Sequence, residues 1–283
     1  MAKPRASEYA VKHVPVEGMR IRYTVAGAGP PVLLLHGYGE FLETWKFNIG
    51  LLSEHHQVYA MDLPGHGLSD KPEVAYDIFF FTKFAVGFMQ ALGIDCASII
   101  GHSFGGLVSL NLAINFPEKV DYLILESTTG LAEDVSLVHR LCGVPILVDD
   151  LAESVMNVAE QRLKREFYNP DIVDEEIVDK IYQFMRMPET KRVMLSILRH
   201  TVSVNGMNPA VVMTDRLHLI KSPTLLIHGA QDEINPLELS RKAWRLIPNA
   251  RLKIFNECGH CPHIEKAPEF NEAVTAFLRA SLV

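Results

Sequence analysis

Six short, mostly apolar runs recur along the chain, at Pro31–Leu35, Val58–Met61, Ala97–Ile100, Tyr122–Leu125, Thr224–Ile227 and Leu252–Phe255, and longer stretches with helical spacing follow them. Strands separated by helices pair in parallel, because the crossover returns the chain to the same end of the sheet. Helices then cover both faces, so such strands are apolar throughout rather than alternating. The pattern predicts an α/β fold. Ahead of these runs, Val11–Val16 and Met19–Val25 alternate apolar and polar residues on either side of Glu17-Gly18, which predicts an antiparallel hairpin at the sheet edge and eight strands in all.

The regular spacing breaks after Glu126, and the next strand-like run begins only at Thr224. An insertion explains the gap. Within it Ile177, Ile181 and Phe184 fall at i, i+4 and i+7 among charged residues, so the insert is expected to be largely helical. It also holds six of the ten methionines, Met156, Met185, Met187, Met194, Met207 and Met213. Flexible methionines suit gap-filling in a small helical subdomain, and they equally suit a pliable apolar wall over a binding site. A length of 283 residues permits one large domain or two. The expected division is a core of residues 1–126 and 216–283, with residues 127–215 inserted after the sixth strand.

Charge narrows the partners. With 27 Lys+Arg against 34 Asp+Glu the formal net charge is −7, which argues against a nucleic-acid partner. Four cysteines, at 96, 142, 258 and 261, are too few and too scattered for a disulfide scaffold. The first residues, MAKPRASEYAVKHVPVEG, lack a continuous apolar core of the secretory type, and a cytoplasmic location is the expectation. Cys96–Pro117 runs for 22 residues without Asp, Glu, Lys or Arg, close to the ~20 that span a bilayer. Gly101, Gly105 and Gly106 interrupt it beside His102 and Ser103, so it reads as strand, sharp turn and helix rather than a transmembrane segment.

That turn, Gly101-His102-Ser103-Phe104-Gly105, fits G-x-S-x-G between a predicted strand and a predicted helix. Gly-Ser turns are common and five-residue patterns arise by chance; the flanking strand and helix make this match specific. A nucleophile there must adopt a strained backbone, and small residues two before and two after let strand and helix approach. The helix N-terminus also aims amide donors where an oxyanion would form.

These residues resemble the α/β-hydrolases, in particular the lid-bearing esterase, lipase and carbon-carbon hydrolase branch. The resemblance runs through His36-Gly37-Tyr38-Gly39, Asp62-Leu63-Pro64-Gly65-His66-Gly67-Leu68-Ser69-Asp70, the elbow through Gly106, His228-Gly229-Ala230-Gln231-Asp232, and Gly259-His260 followed by Glu265-Lys266-Ala267-Pro268. It implies an eight-stranded, mostly parallel sheet with a helical lid, and the chain order nucleophile, acid, histidine. A serine needs a general base, and that base needs a partner to fix its tautomer. Ser103, His260 and Asp232 fill these roles: His260 follows the last strand, and Asp232 lies just past the preceding one, at the strand ends where such sheets place their sites. His263 is the rival base, lying too deep in the pattern that the resemblance supplies; Glu126 and Glu233 are rival acids. His102 is expected to point away from the nucleophile and His36 to support the oxyanion loop. Asn235-Pro236 is expected to start the next helix as cap and first-turn residue. The oxyanion donors are expected to be the backbone amides of Phe104 and Tyr38.

Two other constellations are weaker. Cys258, His260, Cys261 and His263 offer four zinc-ligand types, but so short a loop cannot turn all four to one centre without strain. A redox C-x-x-C opens a helix after an early strand, whereas this one follows the last strand. The elbow lacks the P-loop lysine and the dinucleotide fingerprint. No cofactor or metal is implied. The expected activity is two-step hydrolysis of a small to medium, largely apolar carboxylic ester. Epoxide and carbon-halogen chemistry is disfavoured, because the relatives that perform it carry aspartate at the elbow. Hydrolysis of carbon-carbon bonds in vinylogous diketones is the alternative, although its elbow more often resembles Gly-Asn-Ser. A reading of another class is a ligand receptor on a hydrolase scaffold.

Overall fold

The computed structural model describes residues 9–133, 165–172, 174–203 and 205–279. Eight strands, β1 (Val11–Val16), β2 (Met19–Ala26), β3 (Pro31–Leu35), β4 (Gln57–Met61), β5 (Ala97–His102), β6 (Val120–Glu126), β7 (Thr224–Gly229) and β8 (Ala250–Phe255), form one sheet. Their spatial order is β1-β2-β4-β3-β5-β6-β7-β8. The first hairpin and the β2–β4 pair are antiparallel, and the other pairs are parallel. The hairpin turns at Glu17-Gly18, both at positive φ.

Both faces of the sheet are covered. Leu33 and Leu35 of β3 pack into one apolar cluster, with helices α1 (Ile78–Ala91) and α2 (Ser103–Asn115). Val32 and Leu34 pack into the opposite one, with Trp45, Ile49, Phe270 and Val274. Alternate side chains of one strand thus enter two cores. At about 1.5–3 kcal/mol for each fully buried aliphatic side chain, this two-sided burial is the main force holding the central strands.

The charge-free segment 96–117 supplies the middle of the sheet and a helix buried on every side, for Ser103 through Ala113 are all buried. No helix among the described residues is long and apolar enough to cross a membrane. Most strands run one or two residues beyond their apolar runs, β6 for example over Val120–Glu126, and two boundaries have a clear physical reason. β8 begins at Ala250, two residues before its apolar run, because it is an edge strand whose Arg251 and Lys253 face solvent. The helix after β7, α5 (Leu237–Leu246), has Pro236 as its N-cap, so Asn235 lies outside it and bonds elsewhere.

Between β6 and β7 the described residues include α3 (Glu175–Met185), α4 (Pro188–Thr201) and a small ribbon of Val202–Ser203 with Gly206–Met207. Residues 134–164, including Cys142 and Met156, lie outside the described residues, as does the side chain of Met185. Asp174 caps α3 by accepting from the Glu176 amide, and Ile177, Ile181 and Phe184 close on Phe41 in a cluster of their own. Lys46 pairs with Asp174 at the start of α3, with Glu176 at 3.7 Å. On α4, Val193 and Met194 enter the main core; Arg192 reaches Glu73 and donates to the Lys71 carbonyl at 2.7 Å. Phe41, Lys71 and Glu73 all follow the carboxyl ends of β3 and β4, so α3 and α4 pack over the edge of the sheet where open α/β folds place their sites. Met194, Met207 and Met213 are buried, and Met187 packs against the Phe41 cluster.

Candidate active site

β5 ends at His102 and α2 begins at Ser103 with no intervening loop, so the chain reverses within one residue. Ser103 takes φ +50°. A left-handed non-glycine residue costs about 1–3 kcal/mol and persists only where its surroundings enforce it. The enforcing contacts are visible at the flanking glycines. A Cβ on Gly101 would sit 2.3 Å from Ser109 Oγ, and one on Gly105 would sit 2.2 Å from the Leu35 carbonyl oxygen. Strand and helix therefore approach to a distance that only glycine permits.

Three side chains from three strand ends meet here. Ser103 Oγ donates to His260 Nε2 at 2.9 Å, and His260 Nδ1 donates to Asp232 Oδ2 at 2.8 Å. The other Asp232 oxygen accepts the amides of Ile234 (2.8 Å) and Asn235 (2.9 Å), while His228 Nε2 lies 3.1 Å from Oδ2. Burial penalises the Asp232 carboxylate, but His260 and His228 outweigh that penalty and hold its pKa well below the usual carboxylate range. A permanently ionised Asp232 keeps the proton of neutral His260 on Nδ1 and leaves Nε2 as the acceptor for the serine.

The rival residues are elsewhere. Glu233 pairs on the surface with Arg165 at 3.0 Å. His263 and Glu126, both fully buried, bond to each other: Nδ1 lies 2.9 Å from Oε1. His102 points away from Ser103, with Nε2 donating to the His260 carbonyl at 3.0 Å and Nδ1 facing Glu40 at 3.1 Å. Burial opposes charge on His102, but the carboxylates of Glu40 and Glu126 raise its pKa. Burial likewise opposes charge on Glu40, and His102 reverses that and lowers its pKa. His36 donates from Nδ1 to the Gly37 carbonyl at 2.8 Å and accepts the Leu63 amide at 3.0 Å, which fixes the loop that carries Tyr38. That loop lies against the elbow: a Cβ on Gly37 would come within 2.9 Å of His102 Nδ1. The Phe104 amide is among the first of α2, for which a helix supplies no internal acceptor.

Among the described residues, Cys258, His260, Cys261 and His263 do not bring their ligand atoms together as one group. His260 and His263 are engaged as above, and burial raises the pKa of both Cys258 and Cys261, which keeps their thiols protonated. Glu40, His102 and His263 place potential ligand atoms within 4.8 Å of one another, but the Glu40–His102 ion pair already balances the charge there. Sequence reading missed the polar cluster beside Ser103. Thr129 Oγ1 lies 3.5 Å from Ser103 Oγ, and Asn235 Nδ2 donates to the Ser127 carbonyl at 2.8 Å and to Thr129 Oγ1 at 3.4 Å. Ser127 at φ +43° marks the bend that turns this segment toward the elbow, and a serine-threonine run gives no pattern that would reveal it.

Residues 30–267 match the family model described as alpha/beta hydrolase fold. A 2-hydroxy-6-oxo-6-phenylhexa-2,4-dienoate hydrolase of Comamonas testosteroni is 33% identical over 266 residues, 92% of this chain and 91% of that protein. A meta-cleavage product hydrolase of Pseudomonas fluorescens superposes with TM-score 0.80 at 26% identity, covering 97% of this chain and 99% of the other. Est816, an N-acyl homoserine lactone degrading enzyme, superposes with TM-score 0.80 at 26% identity over 94% of this chain and all of its own. With the sheet order, the elbow and these likenesses together, the chain belongs to the α/β-hydrolase fold family.

Proposed function

We propose that this hydrolase cleaves small to medium, largely apolar carboxylic esters through an acyl-enzyme, with Ser103 as nucleophile, His260 as general base and Asp232 as the acid of the triad. The observation that carries the reading is the unbroken chain from Ser103 Oγ through His260 to Asp232, at 2.9 and 2.8 Å, beginning on a strained residue at a helix N-terminus. His260 takes the hydroxyl proton as Ser103 attacks the carbonyl carbon, and the Phe104 and Tyr38 amides hold the oxyanion. Each such donor is worth roughly 10²–10³ in rate. His260 Nε2–H then protonates the departing alkoxide, and afterwards deprotonates the water that releases the acid. Residues 127–215 act as a lid on a core of 1–126 and 216–283; supporting this, Tyr38 Oη donates to the Met194 carbonyl at 3.1 Å and so ties the oxyanion loop to the insert.

Hydrolysis of a carbon-carbon bond in a vinylogous diketone is the second reading, favoured by the names of the Comamonas and Pseudomonas relatives. Against it stands His102 at the elbow, with both ring nitrogens committed to Glu40 and the His260 carbonyl. Steady-state turnover of p-nitrophenyl esters of increasing chain length, beside loss of the dienol absorbance of a ring-fission diketone, separates the two. The ester reading expects kcat/KM to be higher for the esters. A higher kcat/KM for the diketone would install the second reading, and tight ligand binding with negligible turnover of either would point to a receptor.

A further inference from the structure

The insert touches the loop that carries His260 through the backbone as well as through side chains. The His260 amide donates to the Glu166 carbonyl at 2.6 Å. Two residues further along, the Tyr168 amide donates to Glu265 Oε2 at 2.7 Å, while the other oxygen of the same carboxylate accepts the Gly259 amide at 2.8 Å. Gly259 is the point of closest approach: a Cβ there would lie 2.5 Å from the Glu166 carbonyl oxygen and 2.8 Å from the Tyr168 nitrogen. Residue 265 is only 9% exposed, so its carboxylate has lost water and is repaid by backbone donors from two separate segments. Arg165, at the start of the same segment, reaches Glu233 beside Asp232. Segment 165–168 thus braces both the acid loop and the base loop.

We propose that Glu265 is a positioning residue: by clamping the Gly259 and Tyr168 amides with its two oxygens, it locks the inserted segment 166–168 to the His260 loop, so that lid placement and base placement form one mechanical unit. The inference rests on His260 being the general base. A carboxylate is required because its donors, the Gly259 and Tyr168 amides with those of Cys261 and Asn169 beside them, are all N–H groups. Glutamine could accept with its oxygen, but its amide nitrogen would face N–H donors. Loosening this clamp leaves Ser103 and the oxyanion loop in place and frees His260 to drift, which costs turnover rather than binding, since misplacement of a catalytic group by about 1 Å can cost roughly 10² in rate.

The test is a double-mutant cycle on the full chain with Glu265→Gln and Gly259→Ala, the second pushing the 166–168 segment away by an independent route. Turnover of p-nitrophenyl acetate is read together with hydrogen exchange by mass spectrometry. Each single variant is expected to lower kcat about tenfold with KM within about twofold, and the double variant to fall far short of the hundredfold of independent effects. Amide exchange is expected to quicken together in residues 165–169 and 257–262 and to stay unchanged in α2. Wild-type kcat in Glu265→Gln, fully multiplicative losses, or faster exchange spread evenly over the whole protein would each overturn the proposal. Labelling of Ser103 in the wild type by a fluorophosphonate keeps the underlying reading separate. If labelling fails, the triad reading is lost, while coupled exchange of the two segments still decides whether the clamp exists.

Discussion

Glu126 and His263 are hydrogen-bonded to each other rather than to Ser103. Glu126 Oε1 accepts both the His263 amide at 2.7 Å and its Nδ1 at 2.9 Å, and neither side chain is exposed. The two residues that compete in sequence for the acid and base positions thus form a second carboxylate–histidine pair behind the first. The His102 ring separates the pairs, 4.9 Å from His260 and 4.8 Å from His263 between centroids.

The two pairs are expected to respond differently to substitution. His260→Ala and Asp232→Asn should lower kcat by roughly 10⁴ or more, a loss far beyond what their effect on the unfolding midpoint explains. His263→Ala should retain kcat within about tenfold but lose about 1–3 kcal/mol of stability, because it takes the Nδ1 donor from the buried Glu126 and leaves it the backbone amide alone. Ester kinetics beside urea unfolding measures both, and a His263→Ala variant that is stable but inactive would reverse the assignment.

The Glu40–His102 pair gives stability a defined pH window. His102 is raised above its ordinary 6.5, so its contribution is full below that value and is lost as pH climbs through the raised folded value. Glu40 is depressed below 4.5, so its contribution holds above that value and is lost as pH falls through the depressed one. Glu40→Gln removes the partner and leaves His102 buried without its main counter-charge. Its deficit against the wild type should be largest near pH 5–6 and should shrink toward pH 10. Urea midpoints across that range check this, and a deficit independent of pH would contradict the ion pair.

Sterics at the elbow make a sharper forecast. Gly105→Ala places a Cβ 2.2 Å from the backbone oxygen of Leu35, whereas Gly93→Ala meets nothing within 4 Å and bears only the strain of φ +69°. The first should cost about 3 kcal/mol or more and the second about 1 kcal/mol. Thermal unfolding of the two variants decides between them, and equal losses would mean that the elbow relaxes freely.

How much of this was legible follows from how local each signal is. The central strands stood out because both faces of β3, β5 and β6 are buried, and the elbow because Gly101, Ser103 and Gly105 fall within five residues of one another, although the contact that requires Gly105 is with the distant Leu35. β8 was read two residues short, since an edge strand carries Arg251 and Lys253 and so breaks the apolar run. Asn235 resembled a helix cap, but its side chain is drawn instead to Ser127 and Thr129, over a hundred positions away in the chain. His102, Glu126 and His263 could be named singly but Glu40 could not, and separations of 62 and 137 residues leave no spacing by which to join the two pairs. The Glu265 clamp was hidden for the same reason: its targets are backbone amides, which every residue but proline has.

Tyr38 separates a backbone role from a side-chain role. Tyr38→Phe removes the hydroxyl bond to the Met194 carbonyl, worth about 1 kcal/mol, and leaves the amide where it is. Ester kcat should change by less than about threefold, measured on p-nitrophenyl butyrate. A loss of 10² or more would place the hydroxyl itself in the reaction.

Ser103, activated by His260, is expected to form an acyl-enzyme. Rapid mixing of p-nitrophenyl acetate with the wild type and with Ser103→Ala, followed by intact-mass measurement of the quenched protein, tests it directly. The wild type should release p-nitrophenol in a burst near one equivalent and carry an added acetyl group on the peptide containing Ser103. The variant should show neither, with turnover at least 10³-fold lower. Equal turnover by the two proteins, or acetylation at another residue, would contradict the account.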